Sequence, residues 1–282
     1  MSIPRNLPRP ERDAAFDGPT MVRDSNSGAS ALADVGGFSV RAFATSAASL
    51  AMPIQASRPV AATDFVLGTC LVDARGQIPQ RDELRAWTVA RRLDALIAIR
   101  LAGGTVAERV GLKCAHEDCG EGFEAEIDLA SCRNAATVSE IDFQVAGETV
   151  RARLPTGADH ALWQEQGVSL ALAAASLLGR DAVDSEETII ALERALADCD
   201  PARELELDLR CPACAASNRY VIDLEAHLIR AFARDQSDWL RQVARLASVF
   251  HWAEAEILRM PAWRRDFYLA RIRDAEAGEA WQ

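Results

Sequence analysis

The chain is poor in positive charge and in the residues that most enzymes use for catalysis. Its 282 residues carry 31 lysine and arginine side chains against 42 carboxylates, so the formal net charge is −11. This deficit argues against broad electrostatic binding to nucleic acids or to anionic membranes. Histidine is also scarce, with four copies: His116, His160, His227 and His251.

Motifs that mark several large enzyme classes are absent as well. The chain has no Gly-x-Gly-x-x-Gly, no phosphate-binding loop, no Gly-x-Ser-x-Gly and no His-Glu-x-x-His. Asp159 and His160 could form half of a catalytic triad, although a place at the start of a helix is the simpler interpretation. We therefore predict that the protein is not an enzyme and has no small-molecule substrate.

No apolar run is long enough to cross a membrane. The most apolar stretch, residues 168–178, is rich in alanine and much shorter than the ~20 residues that a spanning helix needs. The N-terminus lacks the basic region and apolar run of a signal peptide. Seven cysteines, an odd number in metal-like spacing, fit a reducing compartment better than secretion. These features predict a soluble, cytoplasmic protein without a membrane partner.

Four of the cysteines lie in two matching sequence frames. Cys114 and Cys119 are separated by four residues, and Cys211 and Cys214 by two. In both frames Ile-Asp-Leu begins eight residues after the second cysteine, and alternating apolar residues flank the pair. This pattern predicts a strand, a cysteine knuckle and a second strand, occurring twice. Two facing knuckles would supply the four thiolates of a structural zinc site in a split zinc ribbon.

Other interpretations of these cysteines stay open from the sequence. Cys211 and Cys214 could form a redox pair, but such a pair usually begins a helix, and here a strand pattern follows. The four thiols could also be free and buried, or His116 could replace one sulfur. The remaining cysteines have no partner frame and are predicted to be small buried residues: Cys70, Cys132 and Cys199.

The periodicity of the whole chain predicts an α+β fold with a disordered N-terminal arm. Residues 1–62 are rich in proline, serine, alanine, glycine and arginine and have no sustained period of apolar residues, which predicts disorder. Within this arm, the apolar piece 38–54 could dock on a partner or on the main body, residues 63–282. The parts of the body are predicted as follows: the split zinc ribbon at 105–130 and 203–224, a small α/β insertion at 139–200, and a C-terminal helical subdomain at 223–275.

Local signals predict the elements within these parts. Apolar residues at three- and four-residue spacing predict a helix over 81–101, which Gly103 and Gly104 end. A hairpin is predicted over 141–154, with its turn at Ala146-Gly147. Two further helices are predicted over 158–178 and over 185–199, the second beginning after Asp184. A long helix is predicted to follow Asp223, which caps it. Two short helical segments, 253–260 and 261–273, are predicted after it, with Pro261 at the start of the second.

Residues 246–269, the C-terminal block, have the pattern of a helix, a corner at His251-Trp252, a short helix and a final helix. Arg264 and Arg265 are predicted to face solvent and to bind a partner. A plain helical cap on the long helix and a helix-turn-helix stay open as alternatives, although the block has no glycine turn. The side chains predicted to pack inward are Trp252, Ile257, Leu258, Tyr268 and Leu269.

The C-terminal block resembles a family of proteins encoded beside the baseplate genes of contractile phages and phage-like contractile injection systems. The family is distantly similar to a baseplate hub protein of the T-even phages. The resemblance covers roughly residues 80–275. The matching residues of the block are His251-Trp252, Glu256-Ile257-Leu258, Pro261, Arg264-Arg265 and Tyr268-Leu269; residues 87–100, residues 153–159 and the two knuckles also match.

Two positions depart from the family pattern. Ala253 stands where the family commonly has serine or threonine, so the capping box with Glu256 is lost. Four residues separate Cys114 and Cys119 where two are usual, which bears on the metal geometry.

The resemblance implies a structural or assembly component of a baseplate or hub, stabilised by structural zinc. Its partners would be other baseplate or tail proteins, and it would lie in the cytoplasm or in a phage tail-like particle. The alternative is a zinc-ribbon protein that binds nucleic acid or has a regulatory role, and the acidic total weighs against binding of nucleic acid.

Overall fold

A computed structural model describes residues 34–43, 47–134, 138–183 and 185–278, and the α+β class is confirmed in them. The strands are β1 (Asp34–Val35), β2 (Phe38–Val40), β3 (Leu71–Val72), β4 (Ala107–Lys113), β5 (Gly122–Asp128), β6 (Glu140–Val145), β7 (Glu148–Arg153), β8 (Glu204–Arg210) and β9 (Ser217–Asp223). The helices are α1 (Pro59–Cys70), α2 (Arg81–Ala86), α3 (Val89–Ala102), α4 (Gly157–Gln166), α5 (Leu170–Leu178), α6 (Glu186–Cys199), α7 (Leu224–Phe250), α8 (Glu254–Arg259) and α9 (Ala262–Glu276). All strand pairs are antiparallel.

One apolar core holds α1, α3 and the first half of α7 together. Leu67, Leu96, Leu228 and Phe232 are fully buried there. The inward faces of the hairpins β4–β5 and β8–β9 pack on the same core, where Ile127 is 3% exposed. Hydrophobic burial of these shared side chains therefore positions the two hairpins relative to each other.

The predicted arm is too long, because much of its second half packs on the body. Strand β2 lies between β1 and β3 in one sheet, and Val35 and Ile54 are buried in the main core. The buried Gln236 side chain of α7 accepts a hydrogen bond from the Ile54 amide at 2.9 Å and donates one to the Ser49 carbonyl at 2.7 Å. Of the two predicted alternatives for 38–54, docking on the body is the one found. Residues 1–33 and 44–46 lie outside the described residues.

Two predicted long helices are each divided in two, and both predictions were wrong in this respect. The helix predicted over 81–101 breaks at Trp87-Thr88, because Thr88 pairs with Thr156 as an isolated β-bridge and then caps α3. The helix predicted over 158–178 breaks at Gly167, whose φ of 60° is left-handed. Helical periodicity continued through both breaks, so it could not reveal them.

The other predicted elements are confirmed in position. The hairpin β6–β7 turns at Ala146 and Gly147, with φ values of 50° and 86°, as a two-residue turn of the I′ kind requires. Asp223 caps α7 by accepting a hydrogen bond from the Ala226 amide at 2.8 Å. Helices α6, α8 and α9 lie within a few residues of the predicted bounds. Asp184 lies outside the described residues.

Residues 153–159 attach the insertion to the main core. Thr156 caps α4, and the Asp159 carboxylate accepts a hydrogen bond from the Thr156 amide at 2.8 Å while pairing with Arg153. Gly157 packs so closely against Arg92 that a Cβ atom at this position would lie 2.7 Å from the guanidinium. Asp159 therefore holds the start of a helix, which agrees with the simpler of its two predicted roles.

None of the helices in the described ranges is long and apolar enough to pass through a membrane.

Candidate metal centre

The hairpins β4–β5 and β8–β9 have the same length and the same register. Each pairs seven residues of one strand with seven of the next. The first cysteine closes each loop with a backbone hydrogen bond. The Cys114 amide donates to the Glu121 carbonyl and the Cys211 amide to the Ala216 carbonyl, both at 2.9 Å. The first loop is the longer one. Its extra residues explain how the wider cysteine spacing is accommodated at the end of an otherwise equivalent hairpin.

Both loops turn back directly after the second cysteine. Gly120 follows Cys119 with a φ of 58°, and Ala215 follows Cys214 with a φ of 60°. The left-handed conformation is favourable for glycine and uncommon for alanine. The same backbone conformation at equivalent positions supports the view that the two knuckles are one structural unit written twice.

The four sulfur atoms of the knuckles converge at one point. The Sγ atoms of Cys114 and Cys214 are 3.7 Å apart, and those of Cys119 and Cys211 are 3.8 Å apart. All four lie within 4.8 Å of one another. These distances exceed the ~2.05 Å of a disulfide bond, and all four cysteines are free.

The geometry suits a four-coordinate metal ion. A tetrahedral centre with metal–sulfur bonds of ~2.3 Å has sulfur–sulfur edges of about 3.8 Å, which matches the two closest pairs. The donor set is chemically appropriate, since thiolate sulfur is a strong ligand for soft and borderline metal ions. Cys114, Cys119, Cys211 and Cys214 could therefore bind one metal ion.

The cluster also bears on the alternatives that the sequence left open. The sulfur contacts at 3.7 and 3.8 Å both join one hairpin to the other, so Cys211 and Cys214 belong to a cluster of four rather than to an isolated redox pair. His116 is exposed and does not belong to the cluster. Of the other cysteines, Cys70 and Cys132 are buried as predicted, whereas Cys199 is partly exposed.

Asn218 links the two knuckles and was not identified from the sequence. Its buried side chain accepts a hydrogen bond from the Ala115 amide at 3.0 Å and donates one to the Ala216 carbonyl at 3.0 Å. The same amide nitrogen lies 3.7 Å from the Sγ atom of Cys114. Such partners behind the ligands fix their orientation and tune the metal. An asparagine at the start of a strand carries no pattern that would predict this role.

The second knuckle favours a thiolate. The backbone amide of Cys214, followed by that of Ala213, directs hydrogen bonds at the sulfur of Cys211 and lowers the pKa of this thiol to about 7. The thiolate is the form of cysteine that binds metals. The loop therefore stabilises the charged form of Cys211, whereas the pKa values of Cys119 and Cys214 are raised above that of a free thiol.

The outward faces of both hairpins are acidic. Four basic residues are exposed on these strands: Arg109, Lys113, Arg210 and Arg219. Two of them face carboxylates, Arg109 at 3.2 Å from Glu126 and Arg219 at 3.1 Å from Asp208. These faces offer a poor surface to phosphate groups. The exposed carboxylates on β5 and β8 are Glu124, Glu126, Asp128, Glu204, Glu206 and Asp208.

The five side chains of the C-terminal block that were predicted to pack inward lie in a separate apolar cluster on the second half of α7: Trp252, Ile257, Leu258, Tyr268 and Leu269. Ile257 is completely buried at its centre. The Trp252 ring stacks on Phe250 with centroids 4.6 Å apart and meets Tyr268 edge-on at 4.8 Å. Leu258 and Leu269 are half-buried in the same cluster. The block therefore packs as a small subdomain.

The two arginines of the block have different surroundings. Arg264 is exposed and lies over the Tyr268 ring at 5.7 Å, as predicted. Arg265 is half-buried, donates a hydrogen bond to the Met260 carbonyl and lies over the Trp239 ring at 5.0 Å. The prediction of an exposed Arg265 was wrong, because its guanidinium satisfies the carbonyl at the end of α8 and packs on α7.

Helix α8 begins with half of a capping box. Glu256 accepts a hydrogen bond from the Ala253 amide at 3.0 Å. Alanine has no side-chain acceptor, so the reciprocal bond to the amide of Glu256 cannot form. Ala253 therefore removes one of the two hydrogen bonds of the capping box, and the other one forms.

Replacing Tyr268 with alanine is expected to lower the free energy of unfolding by about 1–2 kcal/mol. A fully buried ring would cost about 3–5 kcal/mol, but Tyr268 is half-buried. The variant loses the edge contacts with Phe250 and Trp252. Tyr268→Phe is the control, because it retains the ring and should stay near wild type. Urea denaturation measures both, and an unchanged midpoint for Tyr268→Ala would show that the ring contributes nothing.

No protein-family model, no curated protein and no solved structure matches the chain.

Proposed function

We propose that the protein is a structural or assembly component of the baseplate or hub of a contractile phage tail-like injection system, and that zinc stabilises it. The observation that carries the structural role is the convergence of the four cysteine sulfurs from two hairpins separated by the insertion. Four thiolates complete a tetrahedral zinc site and leave no position for a substrate or an activated water molecule. A closed site of this kind stabilises structure.

Zinc is the metal that this donor set favours. Four thiolates in tetrahedral geometry are typical of zinc or of iron–sulfur centres. When bound, the ion would join Cys114 and Cys119 of one hairpin to Cys211 and Cys214 of the other. The protein itself supplies the rest of the site: the loops that set the cysteines, the Asn218 amide behind Cys114, and the core that holds both hairpins.

The part played in a contractile machine rests on the resemblance of the C-terminal block, together with residues 87–100, residues 153–159 and the knuckles. Two of these segments have clear structural roles. Residues 153–159 start α4 and attach the insertion to Arg92. The knuckles bring the hairpins together. The proposed partners are other baseplate or tail proteins, which would contact the exposed side of the C-terminal block around Arg264.

Two features support a structural role over the alternatives. A nucleic-acid-binding ribbon would present basic residues, whereas these hairpins present carboxylates on their outward faces. For catalysis, Asp159 is the obvious partner of His160, yet its carboxylate is occupied by Arg153 and Thr156. We therefore propose neither a nucleic-acid-binding nor an enzymatic role.

Deleting the gene is expected to abolish sheathed tail-like particles in the source strain, as counted by electron microscopy of lysates. A plasmid copy of the wild-type gene should restore them. Cys199→Ser is the matched control, because this cysteine lies outside the four-sulfur cluster, and it should restore particles as the wild type does. Cys211→Ser should fail to do so. Normal particle numbers in the deletion strain would rule out the baseplate role.

A further inference from the structure

A second site lies away from the cysteines, at the junction of the insertion with the body. Helices α4, α5 and α6, the start of α3 and residues 199–204 line a cavity of about 700 Å³. This volume lies in the range of about 300–1,000 Å³ that small-molecule sites occupy. The cavity therefore has room for a ligand of considerable size.

One wall of the cavity is apolar. Leu170 is 58% exposed and Ile190 is 54% exposed, although large aliphatic side chains are normally buried. An apolar ligand against this wall would remove them from water, which is favourable by about 25 cal/mol for each Å² covered. The wall is formed by residues of α5 and α6: Leu170, Ala173, Leu177, Ile189, Ile190 and Leu196.

The lining of the cavity also holds charged side chains, namely Glu193, Arg194, Asp200, Arg203 and Glu204, and among them Arg203 lies beside an aromatic pair. The Arg203 guanidinium lies 3.3 Å from Nε2 of His160, whose ring packs against Trp163 with centroids 5.7 Å apart. Burial first, and Arg203 second, lower the pKa of His160 to about 4. At neutral pH His160 is therefore uncharged, so it can accept a hydrogen bond from Arg203 and adds no charge of its own.

In the part of the chain that the structure describes, Arg203 makes no close ion pair, although its charge acts on the nearby Asp200. Among the described residues, no carboxylate oxygen lies within 4.0 Å of its guanidinium nitrogens. The nearby Asp200 does not pair with it at that distance, and burial raises the pKa of this carboxyl. One Asp200 oxygen is buried without a hydrogen-bond partner in the described structure. Arg203 thus has guanidinium N–H groups available for a ligand, since it has five such donors.

We infer that this cavity binds an apolar carboxylate, with the carboxylate on Arg203 and the apolar part against Trp163 and the wall of α5 and α6. A guanidinium binds a carboxylate through two parallel hydrogen bonds, and the apolar wall takes up the remainder. The ligand could be a free alkanoic acid or the free C-terminus of a polypeptide with apolar last residues. This inference does not depend on the proposed function.

Calorimetric titration of the full chain tests the inference with four probes. Octanoate and octanol share an alkyl chain and differ in the carboxylate. An acetylated Leu-Ala-Leu peptide with a free C-terminus and the same peptide with an amidated C-terminus differ in the same way. We expect octanoate to bind at least about tenfold more tightly than octanol, because hydrogen bonds between charged groups are stronger than those to a neutral hydroxyl. Binding of the free peptide but not of its amide would identify a polypeptide terminus as the ligand, and binding of octanoate alone a small acid.

Two variants and one control complete the test. Arg203→Gln should remove the preference for octanoate over octanol, and Ala173→Leu should weaken both by filling the cavity. Arg109→Gln, an exposed arginine on β4, should bind as the wild type does. Circular dichroism would establish that each variant is folded. The inference is overturned if no acid binds the folded wild type, if octanol binds as tightly as octanoate, or if Arg203→Gln retains the preference.

Discussion

Replacing Cys211 with serine is expected to release the metal and to lower the free energy of unfolding by on the order of 5 kcal/mol or more. Binding of structural zinc is coupled to folding, with apparent free energies of about 10–16 kcal/mol in small zinc domains. Here the hairpins also pack on the core through residues such as Val110 and Ile127, so a part of the stability remains without metal. Because domains are stable by only about 5–15 kcal/mol, the variant should be largely unfolded or aggregated.

Elemental analysis and urea denaturation measure this effect together. The wild type should carry about one zinc ion per chain, and Cys211→Ser should carry far less. Cys199→Ser, the control outside the cluster, should keep its zinc and change stability little. A folded wild type that carries no metal after purification without chelators would contradict the proposed site. A metal other than zinc would leave the four-sulfur centre in place and correct its identity.

The second large effect is expected at a buried ion pair in the main core. Asp64 accepts hydrogen bonds from Arg92 and Arg85, each at 2.7 Å, and Arg92 also donates to the Leu84 carbonyl. The Arg92 side chain is 3% exposed and that of Asp64 is 4% exposed. Asp64→Ala leaves the guanidinium of Arg92 buried without its counter-charge. Removal of one partner from a buried pair costs about 3–5 kcal/mol.

Two comparisons separate the loss of charge from the loss of packing. In Asp64→Leu combined with Arg92→Met, both charges are replaced by apolar side chains, and most of the lost stability should return, since neither group is then left unpaired. Glu126→Ala, which breaks the exposed pair with Arg109, should cost about 0–1 kcal/mol. If Asp64→Ala lowered the free energy of unfolding no more than Glu126→Ala in chemical denaturation, the buried ion pair would contribute no more to stability than an exposed one.

Asp64 and Arg92 show the limits of pattern analysis. The sequence placed Arg92 within a helix, but no periodic signal indicated that a charged residue would be buried there. Burial of this pair depends on α1, on the Leu84 carbonyl of α2, and on Gly157 of the insertion, which lies against the Arg92 guanidinium. These segments are distant in the sequence. Contacts of this kind arise from packing and are not visible in local composition.

The candidate metal centre was largely predictable. Each knuckle is a local unit, with alternating apolar residues that form two strands and a short turn that carries two cysteines. The repeated offset between the second cysteine and Ile-Asp-Leu identified both copies. Sequence alone left open which sulfurs meet, whereas the structure joins Cys114 to Cys214 and Cys119 to Cys211. It also left out Asn218, which contacts both knuckles.

The cavity at Arg203 could not be predicted. Helices over 158–178 and 185–199 followed from periodicity, but the break between α4 and α5 did not, and His160 was noticed only as a neighbour of Asp159. Arg203 and His160 come together because the insertion folds back on residues 199–204. Arg203 matters there because apolar residues lie around it and no carboxylate of the described residues pairs with it within 4.0 Å, and both are properties of the packed structure.

The sequence by itself determined the local units of this protein: the two knuckle hairpins, the turn at Ala146-Gly147, the cap at Asp223 and the helices of the C-terminal block. These units follow from interactions between residues near each other in the chain. Only the tertiary structure decided the break at Trp87-Thr88, the docking of residues 38–43 and 47–54, and the half-buried position of Arg265. Each of these features depends on contacts with a segment elsewhere in the sequence. Such side chains become buried and hydrogen-bonded only when packing brings the segments together.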